Sequence, residues 1–538
     1  MSKTSKILSL FLALILVFSA VAAPAASAAN KAETNFTVSE KIEHTFYQVV
    51  DQMIFILGRV LNALIPGLNW HGDIQALKGY TPENFYPGKE KFDAAPAQDA
   101  RWSMGFAKAS FLDGIDPLDG SYYLAGKLEA MKGRPPVEVL DDQGVNTYAL
   151  SDGTTTMVYA AIDGFGFTRG DVLEIRSRVK DFAQENGIDS INVSALHQHS
   201  CIDVLGLGAP LAPALLKNPW TTAFTGDAAV VGRNPDFMEI VYAKVAGTIV
   251  AAVEDMCEGR LYFGSADIGE FIHDKRQPDV FDPEFERLRF VPDDAEKNEI
   301  WVCEAGIHPV NVESTTLSAD YPHYIEQYVN EEIGADFVFI QGSQLAITSD
   351  HSPYVFEEGA DTKSRLTTMG ATLGARLAAI DNEEELPALL NLAVRELVIK
   401  AENPVHVIAG REGLLGSVMV RDGLGYSVVT EIGYLELGGG KLGVLLVPGE
   451  IDPAILWGGA IEAADAWTGK SWDYAPLAET CGAEKLICFG LCNDQIGYIL
   501  TDNDVRSMLT ENEEINALNY NDGSIVTGAF ESLFASVR

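Results

Sequence analysis

From about residue 101 the chain alternates two patterns that cannot share one kind of element. Short apolar, β-branched runs at 155–162, 191–196, 337–340 and 442–447 read as buried strands. Longer stretches at 171–185, 237–256, 321–332 and 363–380 carry apolar residues at three- and four-residue steps, as amphipathic helices do. Strands alternating with helices predict a layered α/β (mixed α+β) domain. No internal repeat or low-complexity linker divides it, so residues 101–538 are expected to form one large domain.

The region before it reads differently. Lys3 and Lys6 precede an apolar run over 7–21, and Ala26-Ser27-Ala28 supplies an A-x-A cleavage site. Residues 1–28 are therefore expected to be a secretory signal peptide, and the protein to be secreted. Residues 29–100 would form an N-terminal arm. Within it, 46–68 has helical apolar spacing, suited to docking on the main domain or to peripheral contact with a membrane surface. Residues 71–100 are rich in Pro, Gly and charge, as a linker or wrapped arm would be.

The formal charge is −39, and loss of Lys3 and Lys6 with the leader takes it to −41. So acidic a surface repels phosphate backbones, which excludes nucleic acid as the expected partner. The six cysteines are too few for a disulfide framework in a chain of 538 residues. A local Cys481–Cys488 or Cys488–Cys492 bridge and ordinary buried thiols are both open. Nothing in the sequence calls for an obligate protein partner.

Four short segments carry residues suited to metal chemistry. His197 and His199 follow a strand-like run. If that strand continued, both imidazoles would point to one face. They would then share a metal, or one would bind it while the other carries protons or orients its neighbour. Two hydrogen-bonded histidines at a strand end is the alternative. His308 leaves another apolar run between Gly306 and Pro309, where a side chain can face a cleft. Glu450 closes the run 443–450 at a Pro-Gly turn. A carboxylate there needs a cation or a partner, or serves with Asp452 at the start of a helix. Tyr498, alone, reads as a packed tyrosine.

In order along the chain these pieces resemble the neutral/alkaline, non-lysosomal ceramidases, zinc amidases that cleave the N-acyl bond of ceramide. Asn192-Val193-Ser194-Ala195-Leu196-His197-Gln198-His199-Ser200 is similar to that family's Asn-Val-x-Ile-Ser-Ala-Thr-His-Thr-His-Ser-Gly. Phe281-Asp282-Pro283, followed by Leu288-Arg289-Phe290, precedes His308 as a Val-Asp-Pro segment does there. Leu317-Ser318-Ala319-Asp320 resembles its Ile-Ser-x-Asp, Pro448-Gly449-Glu450 its Pro-Gly-Glu. Gly490-Leu491-Cys492-Asn493-Asp494-Gln495-Ile496-Gly497-Tyr498 resembles its Gly-Leu-Ala-Asn-Asp-Tyr-x-Gly-Tyr. The resemblance implies Zn2+ held by His197, His308, Glu450 and Tyr498. His199 would be the neighbouring proton carrier, Tyr498 a further catalytic group, and Arg276 a substrate-binding group. The implied substrate is ceramide or a related N-acyl lipid.

The chain departs from the family at two loops. The Gly-Asp-Val-Ser-Pro-Asn segment, whose serine lies near the scissile amide, corresponds to Leu345-Ala346-Ile347-Thr348-Ser349-Asp350, so Thr348 stands as the catalytic hydroxyl. The Gly-Pro-Gly-Gly after the histidines is Cys201-Ile202-Asp203-Val204. The family's C-terminal immunoglobulin-like domain is not expected after Tyr498. These changes bear on the substrate more than on the metal. They keep open a metal-dependent hydrolase of another amide or ester, or a non-catalytic ligand-binding protein. Cys201, Cys303 and Cys492, close in sequence to site residues, are alternative metal ligands or small apolar packing groups.

Overall fold

The computed structural model describes residues 74–126, 132–210, 232–411, 413–505 and 516–538, with seven helical residues between 38 and 56. The expected leader and most of the 46–68 helix lie outside the described residues. Among the seven, Phe46, Val49, Met53 and Ile56 are helical and exposed. Among the described residues no helix is long and apolar enough to cross a membrane.

Two mixed sheets make the body. The first contains β1 (Trp102–Ser110), β2 (Gly144–Ser151), β3 (Thr156–Ile162), β4 (Ser190–Ala195), β5 (Cys257–Asp267), β6 (Glu284–Pro292), β7 (Ile300–Ala305), β8 (Asp336–Gln341) and β9 (Glu384–Leu386). Their order is β8-β7-β6-β5-β1-β2-β3-β4, with β9 on β5. The β8–β7 and β3–β4 pairs are parallel and the others antiparallel. The second sheet contains β10 (Leu390–Ala401), β11 (Met419–Asp422), β12 (Gly425–Leu437), β13 (Leu442–Leu446) and β14 (Lys485–Phe489). It runs β10-β12-β13-β14, with β11 on β12.

The two-residue side-chain period assigns each face. On β3, Met157, Tyr159 and Ala161 join a core that also takes Leu435, Val444, Ile487 and Phe489 from the second sheet. Val158, Ala160 and Ile162 of the same strand face α1 (Arg169–Arg178) and α2 (Pro235–Glu254). The far face of the second sheet packs Ile432 and Tyr434 on α5 (Asp522–Val537). At the β8 end, α3 (Asp320–Tyr328) and α4 (Thr362–Ala378) cover the first sheet. The result is a helix–sheet–sheet–helix stack, the mixed α/β layering expected. The expected helices hold too, except that 171–185 breaks at Val179 into α1 and a short helix, Lys180–Glu185.

A buried ion network fastens the two sheets. Glu431 on β12 pairs with Arg169 and Arg176 of α1, the Arg176 Nη2 contact measuring 2.6 Å. Burial opposes ionisation of Glu431, but the two guanidinium groups outweigh it and hold its carboxyl below the usual range. Residues 74–100 run along the second sheet, where Lys89 N donates to Leu392 O at 2.8 Å and Phe92 N to Val537 O at 2.8 Å. All six cysteines are free thiols, so neither local bridge forms.

Candidate metal centre

Four loops leave these sheets and meet at one place. The first follows β4, and here the strand does not continue as the pleat argument assumed. β4 ends at Ala195, and His197 takes a left-handed φ of +64°. The turn brings the His197 and His199 rings together nearly perpendicular, 82° apart in plane and 4.8 Å between centroids. Gly126 permits this packing, because a Cβ there would lie 2.3 Å from the His199 Cα. Seven described non-glycine residues have positive φ, and five of them (His197, Asp320, Ala346, Leu491 and Asn493) sit in the loops that build or flank this centre. Strain of this kind persists only where surrounding contacts enforce it, and it concentrates at functional sites.

His308 arrives just beyond β7 and is held twice by Ile347 O, from its backbone N at 3.0 Å and from Nδ1 at 2.8 Å. Glu450 arrives after β13. The two-residue strand Glu450–Ile451 runs parallel to Tyr498–Ile499, which places Glu450 beside Tyr498 in register. The loop 490–498 is itself pinned to β4: Asn493 Oδ1 accepts from Val193 N at 2.9 Å, and Asn493 Nδ2 donates to Asn192 Oδ1 at 2.9 Å. Asp452 caps the helix Pro453–Trp457 by accepting from Ala454 N at 2.9 Å. The helix start is therefore served by Asp452, and Glu450 is left to the imidazoles.

The protonation pattern follows from the partners. His197 Nδ1 lies 2.6 Å from Phe165 O. A carbonyl oxygen only accepts, so the Nδ1 of His197 and of His308 must each carry the hydrogen. In the neutral rings both Nε2 atoms are then lone pairs. They converge on one oxygen, Glu450 Oε2, at 3.3 Å from His197 and 3.1 Å from His308. All three side chains are buried. Two lone pairs facing a carboxylate oxygen repel unless positive charge lies between them. Ligand atoms on a tetrahedral ion with bonds near 2.05 Å stand roughly 3.3 Å apart. The observed spacings match that, and Nδ1-to-carbonyl bonds are how metal-binding histidines are commonly oriented. His197 Nε2 is buried without a hydrogen-bond partner, as a ligand atom awaiting a cation would be. The residues present therefore fit a divalent metal.

Charge agrees with geometry. Burial disfavours the ionised form of Glu450, but positive charge on His197 and His308, carried by Nε2 protons when no metal is bound, reverses that and holds it well below the usual carboxylate range. Gln495 Nε2 donates to the other oxygen, Oε1, at 3.3 Å. His199 completes a three-histidine group whose ligand atoms all lie within 4.8 Å of one another. Its Nε2 has no partner among the described residues. Burial first, and then the two neighbouring imidazoles, push its pKa far below the ordinary histidine value, so the ring is neutral.

The remaining residues singled out in the sequence sit around this centre. Tyr498 is half-buried beside Glu450. Thr348 forms a bridge with His308 through the backbone, while its hydroxyl donates to His273 O at 3.4 Å. The Arg276 guanidinium is buried against the Asp504 carboxylate. The thiols of Cys201, Cys303 and Cys492 are buried, burial raises their pKa, and among the described residues only His197, His199 and His308 group as possible metal ligands. Three contributors escaped the sequence reading. Phe165 stacks on His197 at 4.5 Å and meets His199 edge-on at 4.8 Å. Gln495 holds Glu450. Arg134 donates to His199 O at 3.2 Å. Only Gln495, inside the 490–498 motif, had a signal that pointed to the site.

No family model and no curated protein matches the sequence. The structure is similar to the neutral ceramidase of Pseudomonas aeruginosa, with a TM-score of 0.58 at 15% identity over 81% of this chain and 74% of that one. It is also similar to a ceramidase complexed with C2, with a TM-score of 0.56 at 14% identity over the same shares. The chain has the neutral ceramidase fold.

Proposed function

We propose that this chain is a zinc-dependent hydrolase that cleaves the N-acyl amide of ceramide or a related N-acyl lipid. The observation that carries the reading is the convergence of His197 Nε2 and His308 Nε2 on Glu450 Oε2, with both Nδ1 atoms tied to carbonyls. The shared fold with neutral ceramidases supports the substrate class. His197, His308 and Glu450 would hold the ion, with Tyr498 beside Glu450 as the fourth group. A zinc ion held there supplies Lewis-acid polarisation of a carbonyl and acidifies water to a pKa of about 7.

The chain's own residues have distinct tasks. Phe165 O and Ile347 O fix the two ring orientations, and Gln495 fixes the carboxylate. His199, neutral with an unpartnered Nε2, takes and returns a proton at that atom. Tyr498 donates a hydrogen bond to developing charge on oxygen. Thr348, next to His308, would orient the acyl carbonyl by turning its hydroxyl from His273 O, and Arg276 would serve as the substrate-binding group. The N-terminal segment would export the protein before cleavage.

Release of fatty acid from N-acyl-sphingosine by the zinc-loaded full chain tests the reading, with His197→Ala as the control. Release by the wild type alone supports it. Metal binding without release would direct the search to esters and other N-acyl amines. The departure at Thr348, whose hydroxyl is committed to His273 O, favours that second reading.

A further inference from the structure

Outside the imidazole centre, a cleft of about 580 Å3 opens between residues 468–474 and residues 502–505 and 520–521. That volume is in the range that accommodates a small organic molecule. Trp472 and Tyr474 form one wall, with ring centroids 4.9 Å apart and planes inclined by 41°. Tyr520 lines another part, and all three rings are half-buried. Asp473, Asp502 and Lys470 line the same cleft. None of these residues has a task in the proposed hydrolysis.

We infer that this cleft binds a polyhydroxylated group, of the kind carried by the sugar head of an amphiphile. A sugar ring has an apolar C–H face that packs on aromatic rings, and hydroxyls that both donate and accept. Asp473 and Asp502 receive its donors, and Lys470 donates to its oxygens. Other ligand classes fit less well. A fatty chain would strip water from two carboxylates and an ammonium without replacing their hydrogen bonds. A phosphate would face both carboxylates. A simple ammonium would gain from the aromatic faces, but Lys470 stands on the same wall.

The cleft adjoins the proposed site. Val505 and Tyr520 line it and also pack in one small apolar cluster with Tyr498, Leu345 and Ala346, the last two leading into Thr348. An amphiphile held by its head in the cleft would therefore lie against the wall that carries Tyr498. That the head group belongs to the enzyme's own substrate rests on the hydrolase reading; binding of the polyol does not.

The test is calorimetric titration of the full chain with octyl β-glucoside below its micelle threshold, beside octylammonium chloride. The glucoside should bind more tightly than the ammonium. Trp472→Ala and Asp473→Asn should each weaken it by about tenfold, the size of losing one well-packed contact. Glucoside affinity unchanged in both variants, no glucoside binding, or tighter binding of the ammonium would each overturn the inference. Should Trp472→Ala fail to fold, the exposed Asp473→Asn carries the test. Because the readout is binding, glucoside affinity without lipid hydrolysis would sink only the function proposed above. Hydrolysis without glucoside affinity would sink only this cleft.

Discussion

Glu450 and the pair Glu286–Glu304 are all buried glutamates on strands, yet their surroundings give them opposite charge states. Glu450 faces two imidazole nitrogens and is held ionised. Glu286 on β6 and Glu304 on β7 stand directly opposite each other in the antiparallel register. Burial, and for Glu286 the facing carboxyl as well, pushes both far above the ordinary range. Two carboxylates so close in a low dielectric cannot both ionise, so the pair keeps a proton. The two side chains hydrogen-bond to each other, which requires that proton. Gly342 packs directly on this pair, since a Cβ there would lie 1.6 Å from Glu304 Oε1. The comparison teaches that the charge state of a buried acid is set by the groups it faces, and that Glu450 faces imidazole nitrogens suited to share a cation with it. A buried acid facing another acid holds a proton; one facing arginines, as Glu431 does, holds the fold together.

The sharpest way to break the comparison is to neutralise each carboxyl in turn. Glu450→Gln should lower hydrolysis of the N-acyl lipid by at least about a hundredfold, since outer contacts to metal ligands alone cost ten- to a hundredfold. Glu304→Gln should leave the rate within about twofold. Equal losses in steady-state assays would erase the distinction. Next in size is Glu431→Gln, which strands Arg176 in the interior and leaves Arg169 to Glu396. It should cost about 3–5 kcal/mol in urea unfolding. A loss below about 1 kcal/mol would show that the network does not fasten the sheets.

Gln495→Ala tests the support of Glu450 rather than the ligand itself. It should weaken zinc affinity about tenfold in a chelator competition and leave the stoichiometry unchanged. The smallest effect concerns pH. The proton-sharing glutamates have folded pKa values raised above the unfolded value of about 4.3. Their contribution to stability is complete below that value and is lost as pH rises through the folded pKa. Glu304→Gln should therefore make the thermal midpoint fall less steeply than in wild type between pH 5 and pH 8, a difference of about 2 °C. Parallel pH curves in a thermal scan would contradict the shared proton.

Much of this was legible in the chain itself. The strands at 155–162 and 442–447 were visible because their apolar runs are buried on both faces, a pattern that needs no partner to be recognised. The candidates His197, His308 and Glu450, which the structure brings together, stood out through loop motifs at strand ends. What stayed hidden depends on distance in space. Phe165 acts through its carbonyl and ring face, and neither has a sequence signature. The left-handed turn at His197 replaced the pleat that H-x-H suggested, because the loop is bent by contacts to residues far along the chain. Glu286 and Glu304 look like ordinary surface acids in sequence; only the β6–β7 register makes them face each other.

The central claim is that two imidazoles and one carboxylate converge to hold a metal. Elemental analysis of the dialysed full chain after zinc loading tests it most directly, with wild type, His308→Ala and Glu304→Gln prepared together. The account predicts about one zinc per chain in wild type and in Glu304→Gln, and none in His308→Ala, with all three folded by circular dichroism. A folded wild type without zinc, or zinc retained in full by His308→Ala, would contradict it.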